Sequence, residues 1–134
     1  MIEPMAYPSY LRMQHLAAQL VGPDQQVLVI HLPSRFTDEW VSPVENEVAA
    51  RLPRISGAGL VLDFSSVQLM NSIAITCILH LQETCRERSA GLRLAGLPEP
   101  IRKFFCQLKL DRRFTLCGDL DVAVGELLNL SRPR

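Results

Sequence analysis

Cys106-Gln-Leu-Lys-Leu-Asp-Arg112 has the Cys-x5-Arg spacing with which cysteine phosphatases hold a phosphate between backbone N–H groups and a guanidinium. That chemistry needs a tight loop between the two residues. Here the Cys lies inside a predicted helix and no glycine separates it from Arg112, so the loop needed for the cradle is not expected. Asp63 falls near a strand end, where a phosphotransfer receiver would ligate Mg²⁺, but the companion carboxylates and a later strand-end lysine are not evident. His15, His31 and His80 lie in separate segments and read as packing or surface residues. Cys77, Cys85, Cys106 and Cys117 show neither Cys-x-x-Cys pairs nor Cys/His zinc spacing. Cys77, Cys106 and, less regularly, Cys85 occupy apolar positions of helical patterns, where a reduced cysteine acts as a small hydrophobe. Gly-rich phosphate loops, Gly-x-Gly-x-x-Gly and Gly-x-Ser-x-Gly are missing. No catalytic residue, metal site or cofactor is therefore assigned.

One segment remains: Leu69-Met70-Asn71-Ser72-Ile73-Ala74-Ile75. Ser72 stands immediately before an amphipathic helix, where a serine hydroxyl accepts an N–H bond and caps the helix. The same geometry suits a modification site. A phosphate on Ser72 would meet free backbone N–H groups and the positive end of the helix dipole while adding about −1.5 to −2 charges.

The elements that position these residues follow from patterning. The chain has 134 residues, 14 basic and 14 acidic side chains, and 48% hydrophobic content, which suits one domain with a core of its own. Residues 1–10 read as an irregular lead-in, 11–130 as the domain and 131–134 as a tail. Gln14 to Val21 and the β-branched run Val27 to Leu32, joined by Gly-Pro-Asp-Gln, predict a hairpin. Val41, Val44, Val48 and Leu52 recur at helical spacing, and that helix ends at Pro53 or the Gly57–Gly59 turn. Leu60 to Phe64 suits a strand buried on both faces. Ile73, Cys77, Ile78, Leu81 and Cys85 predict a second helix, Leu92 to Ala95 a strand, and Ile101, Phe104, Phe105 and Leu108 the stripe of a third helix. Phe114 to Cys117 reads as a last strand, and Asp119 caps a last helix. The order β-β-α-β-α-β-α-β-α predicts an α/β fold with a mixed, mostly parallel sheet, an N-terminal hairpin and about four helices. Functional groups of such folds gather where strands end and helices begin.

Gly59-Leu-Val-Leu-Asp-Phe-Ser-Ser-Val67, Met70-Asn-Ser72, Gly91-Leu-Arg-Leu-Ala-Gly96 and Leu110-Asp-Arg-Arg-Phe114 together resemble the STAS domain family, over roughly Gln14 to Leu128. That family includes bacterial anti-sigma factor antagonists and cytosolic modules of sulphate transporters. The resemblance implies a non-enzymatic regulatory protein in which Ser72 matches the serine phosphorylated by an anti-sigma kinase. It departs from the antagonist pattern at Asn71, where Asp is usual. It departs again at Ile73 and Ala74, which replace a small Ser/Thr-Gly pair, and at Thr37, near which another Asp often stands. The docking surface implied comprises Arg35, Thr37, Met70, Asn71, Ser72, Ile73 and Ala74. The partner implied is an anti-sigma factor with serine kinase activity or another regulatory protein. The alternative is a constitutive docking subunit of a larger signalling or transporter assembly, without phosphorylation.

Zero net charge argues against a dedicated nucleic-acid binder. It hides an asymmetry: residues 1–67 hold four basic and seven acidic side chains, net −3, and residues 68–134 hold ten and seven, net +3. Membrane insertion and a secretory leader are not expected, because apolar runs are short and the first ten residues lack a basic start followed by a long apolar stretch. A cytoplasmic setting follows, and self-association is left open. An enzyme using Asp63 or Cys106 is the third reading and the least supported.

Overall fold

The computed structural model describes residues 16–52 and 58–131. The expectations for the lead-in at 1–10, for Gln14 and His15, for the turn at Pro53 and Gly57, and for the last three residues lie outside the described residues. Among the described residues, seven strands and four helices follow in order. They are β1 (Ala17–Val21), β2 (Val27–His31), β3 (Arg35–Phe36), a 3-10 turn (Asp38–Trp40), α1 (Val41–Arg51), β4 (Gly59–Asp63) and β5 (Leu69–Met70). Then come α2 (Ser72–Glu87), β6 (Gly91–Ala95), α3 (Glu99–Gln107), β7 (Leu116–Cys117) and α4 (Leu120–Ser131).

Five strands form one sheet in the order β1-β2-β4-β6-β7. β1 and β2 are the antiparallel hairpin, and β2, β4, β6 and β7 run parallel. Alternation along the strands divides the core. Leu28, Ile30, Leu60, Leu62 and Leu94 face α1, α2 and α3, meeting Val44, Val48, Ile78, Leu81, Ile101 and Phe105. Val27, Val29, Val61 and Ala95 face α4, meeting Ala123 and Leu127. All five residues of β4 are buried, because helices cover both sides of this central strand. Phe105 locks α3 in place, standing edge-on to Phe64 with centroids 5.8 Å apart. Asp119 caps α4 as expected, its Oδ1 accepting the Val122 N–H at 2.9 Å.

Three local expectations need correction. The last strand shrinks to Leu116–Cys117, since Phe114 turns inward against Phe105 instead of joining the sheet. α3 ends at Gln107, so Leu108 leaves the predicted stripe and is exposed. Cys106 is exposed as well: Ile101 and Phe105 take the inner face, and a residue one step past Phe105 is turned about 100° away from it.

Candidate functional site

The two loops singled out in the sequence are joined by a second, two-stranded sheet. β3 and β5 pair in parallel, with Arg35 opposite Leu69 and Phe36 opposite Met70. The carbonyl of Ser34 extends the pairing by accepting the N–H groups of Gln68 at 2.8 Å and Leu69 at 3.1 Å. Two-residue periodicity then sorts the side chains: Phe36 and Met70 point into the core, while Arg35 and Leu69 face solvent. Thr37 follows at the head of the 3-10 turn, its carbonyl accepting the Trp40 N–H at 2.9 Å.

Asn71 connects this small sheet to α2. Its backbone is extended and its Oδ1 accepts the Ala74 N–H at 3.0 Å, so Asn71 caps the helix. Its Nδ2 donates to Asp38 Oδ1 at 3.2 Å. The expectation that Ser72 caps α2 is therefore corrected. Ser72 is already the first helical residue, and only the preceding residue has the backbone geometry of a cap. The Ser72 hydroxyl is exposed and makes no hydrogen bond among the described residues, while the Ser72 carbonyl accepts Thr76 Oγ1 at 3.1 Å. Leu69 and Ile73, 41% and 50% exposed, bracket it. Ala74 is buried and supports the surface from beneath. Thus Arg35, Leu69, Ser72 and Ile73 present side chains outward, and Phe36, Met70 and Ala74 hold them there.

Asp38 was missed from sequence because it meets Asn71 across 33 residues and only through the β3–β5 pairing. It supplies a carboxylate at the helix head, where position 71 has an amide. Asn71→Ala is expected to cost about 1 kcal/mol of stability in urea unfolding, through loss of the cap, while Ser72→Ala stays within about 0.5 kcal/mol.

Asp63 has a structural occupation. Parallel register places it beside His31 at the ends of β4 and β2, with His31 Nδ1 2.7 Å from Asp63 Oδ2. The Ser65 N–H donates to Oδ1 at 3.0 Å, and Gln19 Nε2 lies 3.2 Å from His31 Nε2. Both Asp63 oxygens are thus engaged. Burial alone would raise its pKa, but the Ser65 N–H and His31 outweigh burial and hold it below 3.8. A carboxylate with a depressed pKa stabilises the fold above its unfolded pKa and loses that contribution as pH falls through the lower folded value. Asp63→Asn is accordingly expected to cost about 1–2 kcal/mol at neutral pH, and the cost should shrink below pH ~3.8 when urea titrations are repeated in acid.

The Cys77 and Cys85 thiols are pushed up to about 12 by burial, and that of Cys117 is raised by burial and by Glu126. Cys106 sits in α3, as the sequence suggested, but the helix ends at Gln107 and Arg112 lies in the turns that follow it. Among the described residues no three His, Cys, Asp or Glu side chains are placed to hold a metal ion, and no helix is long and apolar enough to cross a membrane.

An N-terminal hairpin, parallel strands covered by helices on both faces and a capped helix head joined to the first crossover define the STAS type of α/β domain. The chain belongs to the STAS domain family: the family model described as "Mlab, STAS domain" matches residues 20–124. Among solved structures, an RsbS variant from Moorella thermoacetica is similar with a TM-score of 0.72 at 18% identity, over 89% of this chain and 99% of that one. An anti-sigma-factor antagonist (STAS) domain protein from Planctomyces limnophilus gives 0.70 at 14% identity, over 84% and 97%. A sulfate transporter family protein from Wolinella succinogenes gives 0.70 at 13% identity, over 78% and 87%. At these identities the likeness is one of fold. Comparison with curated protein sequences gives no match.

Proposed function

We propose that residues 11–130 form a non-enzymatic docking module resembling an anti-sigma factor antagonist, which binds a regulatory protein, in the first instance an anti-sigma factor with kinase activity. The surface runs over Arg35–Thr37 and Met70–Ala74. The observation that carries this reading is the parallel β3–β5 pairing, which joins two loops distant in sequence into one exposed face. Exposed Ile73 within it and exposed Leu69 at its border supply the apolar contact that a protein interface needs. Ser72 lies between them with an unused hydroxyl at a helix N-terminus, so one phosphoryl group would place about two negative charges in the middle of the contact. Asp38 beside Asn71 adds like-charge repulsion to that switch.

Calorimetry with the partner tests it. Ser72→Asp is expected to weaken binding about tenfold, and Ser72→Ala to bind like wild type. Equal affinities for all three would remove the switch. They would favour the second reading, a constitutive docking subunit of a signalling or transporter assembly. The half-exposed Ile73 beside the hydroxyl supports that reading, because a permanent apolar contact needs no charge change.

A further inference from the structure

α3 and the loop after it carry a charge pattern that the docking face does not use. Positions 102–113 contain Arg102, Lys103, Lys109, Arg112 and Arg113 against Asp111, with Glu99 just before them. None of these five cations forms an ion pair or a side-chain hydrogen bond among the described residues. Arg51, Arg86 and Arg93, by contrast, are each paired with a glutamate. Lys109 and Arg112 line one concavity with Cys106 and Asp111. Beside Lys109 stands Leu108, 47% exposed, with half-buried Phe104 one turn back.

We infer that this surface takes the anionic headgroups of a lipid bilayer. Unpaired Lys109 and Arg112, with exposed Leu108 next to Lys109 in the chain, match a fluid layer of phosphates over hydrocarbon: the charges reach the headgroups while Leu108 enters the boundary below them. An acidic protein would have to offer carboxylates at fixed positions, and nucleic acid offers Leu108 no apolar layer. Attachment here leaves the docking face free. Gln82 Nε2 donates to the Arg113 carbonyl at 2.5 Å, and Gln82 is ten residues along α2 from Ser72, about 15 Å at the helical rise.

The full chain is to be sedimented with phosphatidylcholine vesicles and with vesicles containing about 30% phosphatidylserine. Binding is expected only to the second, and it should fall as the Debye length shrinks from about 10 Å at 0.1 M salt to about 3 Å at 1 M. Lys109→Gln/Arg112→Gln should lower the partition coefficient about 25-fold, at roughly fivefold per cation. Leu108→Ser should lower it further at constant charge. The inference is overturned if the folded chain ignores phosphatidylserine vesicles at low salt, or if either variant partitions like wild type. It is equally overturned if duplex DNA at matched phosphate concentration binds more tightly than the vesicles.

Discussion

Ile73→Asp is expected to bind the regulatory partner at least about thirtyfold more weakly than wild type, a loss of some 2 kcal/mol. Ile73 is half exposed in the first turn of α2, so an aspartate there reaches solvent without disturbing the buried Ala74 and Ile75 that seat the helix. Its charge faces the positive end of the helix dipole, which favours the fold by a few tenths of a kcal/mol, about 0.3 or more. Binding and stability are therefore expected to move in opposite directions, a combination that general misfolding does not produce. Calorimetry with the partner and urea unfolding of the free chain measure the two effects. Ile73→Val, which keeps the apolar contact, should remain close to wild type.

The second large effect concerns the fold that presents this face. Gly59→Ala is expected to destabilise the domain by about 3 kcal/mol or more, a large share of a marginal total. Gly59 opens the central strand β4 at φ +145°, paired with Gly91 of β6. A Cβ there would lie 2.1 Å from the Gly91 carbonyl oxygen and 2.7 Å from its nitrogen, both backbone atoms in the middle of the sheet. Neither can swing aside as a flexible side chain would. Gly125 on α4 supplies the contrast, since a Cβ there meets nothing within 4 Å. Gly125→Ala should stabilise by about 0.5–1 kcal/mol by favouring the helix. Urea midpoints for the two variants should move to opposite sides of wild type.

The main sheet and helices were legible because their signals are long. Val27 to Ile30 and Leu60 to Leu62 are apolar runs that only a covered sheet accommodates, and α2 repeats its buried positions over about three turns. β3 and β5 escaped notice because two residues carry no periodicity; their pairing is set by the tertiary path that brings Ser34 against Gln68. The same path makes Asp38 a neighbour of Asn71, which no local spacing reveals. Sequence placed the chemistry of the helix head one residue late, since Asn and Ser both make good caps and only the backbone turn into α2 decides between them. The His31–Asp63 contact was readable in principle: aligning the ends of two parallel runs puts these residues side by side. Leu108 is exposed because the predicted stripe runs one residue past the end of α3, whereas Cys106 lies within the helix on the side turned away from Ile101 and Phe105.

Amide hydrogen exchange of the chain with and without its regulatory partner tests the central claim most directly. If the two loops form one docking face, the amides of residues 35–38 and 69–74 gain protection together on binding, with β1 and α4 unchanged. Protection confined to other elements, with both of these segments exchanging as in the free chain, would contradict it.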